Sequence, residues 1–140
     1  MSADDMLPPG AQQCRWVGKN SMFAFTSVDK RCYREGDKIC GYNQIDAVGM
    51  WFAGPGYFTM VKSADKPKEL VVDYTKLPTK EPDGWPKIAP NDKGTHTVVY
   101  GHLNDYCRKV SDGVFIGLGF RQTKDGGLKN LGVFFTVARL

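Results

Sequence analysis

Residues 113–140 read GVFIGLGFRQTKDGGLKNLGVFFTVARL, and two apolar runs within them decide the fold class. In GVFIGLGFR (113–121), Val114, Ile116, Leu118 and Phe120 fall on one face of an extended chain. In LGVFFTVARL (131–140), Leu131, Val133, Phe135 and Val137 do the same. A period of two is the signature of a strand, because successive side chains point to opposite faces. The segment between them carries Lys124-Asp125-Gly126-Gly127, so the pair predicts an antiparallel hairpin. Gly117 and Gly119 replace side chains on the other face of the first strand. Glycine inside a strand marks a bend, a bulge or a close approach of another group, and curved barrels use such positions.

The same rhythm extends upstream. SMFAFTSV (21–28) sets Phe23 and Phe25 against Met22 and Ala24, and YFTMVK (57–62) alternates. ELVVDYT (69–75) places Leu70, Val72 and Tyr74 on one face of a half-buried strand. AVGMWFAG (47–54) is almost wholly apolar and runs into Gly54-Pro55-Gly56, a chain reversal. THTVVYGH (95–102) continues the β pattern. Two segments suggest short helices. In LNDYCRKV (103–110), Leu103, Tyr106, Cys107 and Val110 fall at helical spacing; a second helical turn over 43–48 would be opened by Asn43. The expected fold is mainly β: an antiparallel β-barrel or two-sheet sandwich of about 8–10 strands, with one or two short helices. Residues 1–13 are expected as a flexible N-terminal arm, and 14–140 as a single β-rich domain.

Composition agrees. The chain has 140 residues, 41% hydrophobic and 24% charged, as in ordinary soluble globular proteins. It carries 16 glycines beside Trp 3, Tyr 6 and Phe 8, a mixture of turn formers and strand formers. The net charge of +4 is scattered rather than blocked, which sets nucleic acid aside despite interleaved aromatic and basic residues near the start. No apolar run approaches the ~20 residues of a membrane-spanning helix. The start MSADDMLPPG lacks the basic end and apolar centre of a signal peptide. The expectation from this start is a cytoplasmic protein, or one from which an export signal has been removed.

Four cysteines bear on that choice: Cys14, Cys32, Cys40 and Cys107. They lack the close pairs of a zinc site and the C-x-x-C of a redox motif. Gly36-Asp37 can turn the chain between Cys32 and Cys40, and a three-residue loop would set these two face to face. Of the three possible pairings, 32–40 with 14–107 is the favoured one; four reduced thiols are the alternative. Disulfides would place the protein in an oxidising compartment, secreted or periplasmic.

The segment KLPTKEPDGWPKIAPNDKG (76–94) holds prolines at 78, 82, 86 and 90 and has no apolar periodicity. Structureless loops of that length are commonly functional. Trp85 within it either folds back on the core as a plug or stands exposed as an anchor for a partner. On loop position, Tyr74, Lys76, Trp85, Lys87 and His102 form the expected ligand surface, together with a barrel mouth. A small hydrophobic ligand, a carbohydrate or a host protein would each suit such a scaffold.

No nucleophile elbow, zinc-protease helix, phosphate loop or dinucleotide fingerprint occurs. His96 and His102, if on one strand, lie about 20 Å apart and cannot share a metal. Neither metal nor cofactor is expected. An alternative is a small lyase- or isomerase-type enzyme using His102, Asp105 and Tyr106 inside a barrel. A third is a structural or assembly protein.

Overall fold

The computed structural model describes residues 1–140, and the chain forms a closed barrel of eight antiparallel strands. In chain order these are β1 (Gln13–Asn20), β2 (Ser27–Glu35), β3 (Lys38–Asn43), β4 (Phe58–Lys62), β5 (Leu70–Asp73), β6 (Leu103–Ser111), β7 (Val114–Gln122) and β8 (Leu128–Arg139). Each strand pairs with the next, and β8 pairs back onto β1 from Trp16↔Arg139 to Asn20↔Phe135. Closure removes the two free edges of an open sheet, with β3 and β4 joined only over Cys40↔Thr59 and Gly41↔Phe58. Three short helices complete the fold: α1 (Ala3–Met6), α2 (Ala47–Ala53) and α3 (His96–Tyr100).

One end of the barrel is plugged. Residues 1–13, expected to be a loose arm, run against it instead. Met6 and Leu7 are fully buried, and the Trp16 indole donates to the Met6 carbonyl at 3.0 Å. Trp16 meets Phe115 edge-on at 4.8 Å between ring centres, with the Arg139 guanidinium 5.7 Å from its ring. The plug therefore joins the N-terminal helix, the first strand and the last.

The connections at the other end are long. They are the β1–β2 loop, the α2 segment, the 74–102 segment with α3, and the β7–β8 turn. Here several local readings give way to tertiary context. The 47–54 run forms α2, capped where the Asp46 carboxylate accepts from the Gly49 amide at 2.7 Å. Residues 96–100 form α3 rather than strand. The 103–110 segment, expected as a helix, is strand β6, hydrogen-bonded on both sides by β5 and β7. Its helical spacing is accidental: Leu103, Asp105 and Cys107 point inward, and an inward Asp105 disguises the period of two.

The 76–94 segment is an external strap. It descends the outer wall to Glu35, whose carboxylate accepts from the Thr79 and Lys80 amides at 2.9 and 3.0 Å. It then climbs back, packing half-buried Trp85 edge-on against Tyr33 (5.2 Å) and Tyr42 (4.9 Å). The Tyr33 and Tyr57 hydroxyls donate to the carbonyls of Lys80 and Pro86. Tyr33, Cys40, Tyr42 and Tyr57 thus make a second small core outside the barrel, with Trp85 and Ile88 as its lid.

The four cysteines are free thiols, which corrects the favoured pairing. The β2–β3 turn has two residues, Gly36 and Asp37, so Glu35 pairs with Lys38 and Tyr33 with Cys40. That register sends Cys32 into the barrel core and Cys40 into the external core. A one-residue difference in a turn exchanges the faces of a strand. Cys14 lies opposite Cys32 across β1–β2, and its thiol donates to the Met6 carbonyl at 2.9 Å. Cys107, its expected partner, is buried by itself on β6.

Candidate functional site

An eight-stranded barrel is just wide enough to be filled by side chains or to hold one small ligand. Here the lower half is filled by Trp16, Cys32, Ile39, Phe58, Met60, Val72, Cys107 and Phe115, while a cavity of about 130 Å³ remains below the open end. Its apolar walls include Phe25, Val28, Ile45, Val99, Leu103, Val133 and Phe135. Its floor is polar.

Four side chains meet at that floor. Lys30 on β2 is 2% exposed, and its ammonium donates to Asn43 Oδ1 at 2.9 Å, to the Tyr74 hydroxyl at 2.6 Å and to Asp105 Oδ2 at 3.4 Å. Asn43 Nδ2 donates to the Tyr74 hydroxyl at 3.0 Å, and that hydroxyl donates to Asp105 Oδ2 at 3.2 Å. The ammonium also lies 5.0–5.2 Å from the ring centres of Phe58, Tyr74 and Phe135. Each proton of Lys30 therefore has an acceptor, and aromatic faces supply further negative potential. Burial pushes the Asp105 carboxyl up, against the opposing pull of Lys30. Burial also holds the Tyr74 phenol well above its ordinary value, with the Asp105 charge adding to the effect.

Two features leave this floor open to a ligand. Asp105 is paired in register with Gly119, and a Cβ built on Gly119 would lie 3.6 Å from Asp105 Oδ1. The space beside that oxygen exists because position 119 has no side chain. While Oδ2 takes both Lys30 and Tyr74, Oδ1 accepts from no protein group. Next to Gly119 the β7–β8 register shifts between Leu118↔Phe134 and Phe120↔Asn130, with Gly132 at φ 66°. This bulge sits where β8 sends Leu131 and Val133 to the cavity wall.

Tyr100, from α3, stacks on Tyr74 at 5.2 Å. It does so over Gly56, where a Cβ would come within 2.4 Å of its ring. The strap contributes through Asn91, whose amide donates to the Tyr57 and Tyr74 carbonyls at 2.8 Å each and ties the loop to the rim.

Of the expected ligand surface, Tyr74 stands at the cavity floor. Lys76 is exposed, 3.6 Å from Asp73. Trp85 lies on the outer wall, and exposed Lys87 pairs with Glu81 at 2.7 Å. His102 is exposed at the strand entrance with a φ of 55°. These five are not brought together. Neither are His102, Asp105 and Tyr106: neighbours on one strand, Asp105 faces in and Tyr106 faces out. Lys30 and Asn43 were not expected at the site: Asn43, read as the opening of a helical turn, ends β3 instead. No local pattern marks Lys30 as inward, because inward is not defined until the barrel closes.

A larger open groove of about 830 Å³ runs along the outer wall past Tyr106, Ile116, Leu118, Phe120 and Phe134. Arg108 Nε donates to Glu69 at 2.6 Å along it, and Lys66 lies over the Tyr106 and Phe120 rings. No group of three or more histidine, cysteine or acidic side chains is placed to hold a metal ion. No helix is long and apolar enough to cross a membrane. No family model matches the chain, and no curated protein or solved structure matches it either.

Proposed function

We propose that this protein binds one small, neutral, mostly apolar molecule carrying a hydrogen-bond-donating hydroxyl, a simple phenol being the type. The observation that carries the reading is the unpartnered Asp105 Oδ1 at the polar floor of a cavity whose walls are mostly apolar, opposite Gly119. A hydroxyl donor satisfies that oxygen. An added cation would meet Lys30 and Arg121, which also lines the cavity, as like charges; at the floor an added anion would find every Lys30 proton taken and the Asp105 carboxylate beside it. The volume of about 130 Å³ is close to that of cavities that hold a benzene-sized guest, about six to nine non-hydrogen atoms. The apolar walls favour such a molecule over a carbohydrate, which would leave several hydroxyls unpaired.

An acid/base role has one point in its favour: a carboxyl raised by burial, beside a tyrosine and a lysine, in a cavity. It lacks a second group placed to act on the other side of a substrate, so binding is the stronger reading.

Calorimetric titration with 4-ethylphenol and with ethylbenzene tests the proposal. A hydrogen bond to a charged acceptor contributes about 1.5–3 kcal/mol, so the phenol should bind roughly ten- to a hundredfold more tightly. Gly119→Val should abolish binding by filling the space beside Oδ1. Equal affinity for the two compounds, or binding unchanged in Gly119→Val, would refute the assignment.

A further inference from the structure

The open end of the barrel is ringed by side chains that water should not favour. Phe23 at the tip of the β1–β2 loop is 101% exposed, Trp51 on α2 is 81%, Val48 on α2 is 76% and Val98 on α3 is 63%. They stand on three segments around one opening rather than on one flat face. Val98 itself lines the cavity, as do Met22 and Phe25 on either side of Phe23. Isolated exposed apolar residues need no explanation, but a ring of them around the mouth of a cavity does.

The segments that carry them are also free of charge. Residues 20–28 (NSMFAFTSV), 47–61 (AVGMWFAGPGYFTMV) and 94–104 (GTHTVVYGHLN) contain no Asp, Glu, Lys or Arg. The tips of the β1–β2 loop, α2 and α3 are thus uncharged, while the same end carries charge elsewhere, at Asp46, at Asp92 and Lys93 of the strap and at Lys124 and Asp125 of the β7–β8 turn. At the plugged end Asp5, Lys109 and Asp112 cluster in ion pairs. Inserting these three tips into a lipid headgroup layer would desolvate apolar surface and no formal charge of their own, while Lys124 and Asp125 of the β7–β8 turn would remain at headgroup level. Tryptophan and phenylalanine are the side chains suited to that layer.

We propose that the protein docks on the surface of a phospholipid bilayer by its open end, inserting Phe23, Val48, Trp51 and Val98 and presenting the cavity mouth to the membrane. A zwitterionic surface suffices, since the contact relies on apolar insertion rather than on the modest positive charge. Docking goes beyond the ligand assignment and does not require it; where both hold, an apolar guest passes between bilayer and barrel without crossing water.

The test uses the full chain with phosphatidylcholine vesicles. Expected results are co-sedimentation that saturates with lipid, and quenching of tryptophan emission by brominated lipid that disappears in Trp51→Ser, leaving buried Trp16 and half-buried Trp85 unquenched. Phe23→Ser combined with Trp51→Ser should lower the partition coefficient more than tenfold without shifting the melting temperature, because both side chains are exposed. Val110→Ser, also exposed but near the plugged end, should leave partitioning unchanged. Failure of the wild-type chain to sediment, or equal sedimentation of the double variant, overturns the proposal. So does a Phe23- and Trp51-dependent dimer that ignores vesicles, which would make the rim a self-association surface. Phenol titration in lipid-free buffer reads the cavity separately, and the double variant should titrate like the wild type.

Discussion

Gly117 on β7 lies directly opposite Phe135 on β8, and the Phe135 ring covers the place a side chain at 117 would occupy: a Cβ there would stand 2.2 Å from the ring. The ring turns inward over the glycine and meets Phe115 at 6.1 Å. It also forms one of the three aromatic faces around Lys30. A strand glycine is thereby filled from across the ladder, as curved sheets require. Gly117→Ala should force the ring aside and cost about 1–3 kcal/mol by overpacking. Adding Phe135→Leu to that variant should recover part of the loss, read as the denaturation midpoint. An unchanged midpoint in Gly117→Ala would show that the ring is free to move.

Lys30 and Asp105 form a buried pair, both residues under 10% exposed. Removing one partner leaves the other charge without compensation, so Lys30→Met should destabilise by about 3–5 kcal/mol. Lys30→Met with Asp105→Leu should destabilise much less than the two single changes added together. A double-mutant cycle on urea denaturation gives the coupling, and additive losses would contradict the pairing.

Trp85 lids the external core rather than standing free. Trp85→Ala should lower stability by about 2–4 kcal/mol, through lost burial and two aromatic contacts. The strap around it should become the earliest site of limited proteolysis, detected by mass spectrometry of the first cut. A melting temperature unaffected by the change would return Trp85 to the role of a partner anchor.

The N-terminal plug should respond to acid. A hydrogen bond from Lys109, followed by one from the Ser2 amide, lowers the Asp5 carboxyl from 3.8 to about 2. A carboxyl depressed by folding stabilises the fold fully above its unfolded value and loses that contribution as pH falls through the folded one. The window is thus about pH 4 to 2. Because Asp5 is partly open to solvent, the effect should stay below about 1 kcal/mol. The difference in melting temperature between wild type and Asp5→Asn should shrink across that window. A constant difference would exclude the Asp5–Lys109 contact as its source.

Thiol reactivity should follow position. Cys14 is partly exposed, and the neighbouring Cys32 thiol lowers its pKa, whereas burial raises those of Cys40 and Cys107. Iodoacetamide should label Cys14 first in the native protein, and all four after unfolding. Rapid native labelling of Cys40 would mean that the strap opens readily.

Alternation along Val114–Phe120 and Leu131–Val137 was enough to identify the final hairpin, because strand geometry is written in nearest neighbours. Those residues also carried the antiparallel β class and the two glycines that mark curvature. They did not say which face was the inside. Ile116, Leu118 and Phe120 turn out to face outward and the glycine face inward, since this barrel is apolar on much of both surfaces. Nor could they separate strand from helix at 103–110, where one inward carboxylate broke the pattern. The binding floor lies further from sequence still. Lys30, Asn43 and Asp105 sit on three strands and Tyr74 just past the end of a fourth, with Lys30 and Asp105 75 positions apart. Nothing local links them; they meet because eight strands close with one particular register, and only closure decides which side chains share the interior.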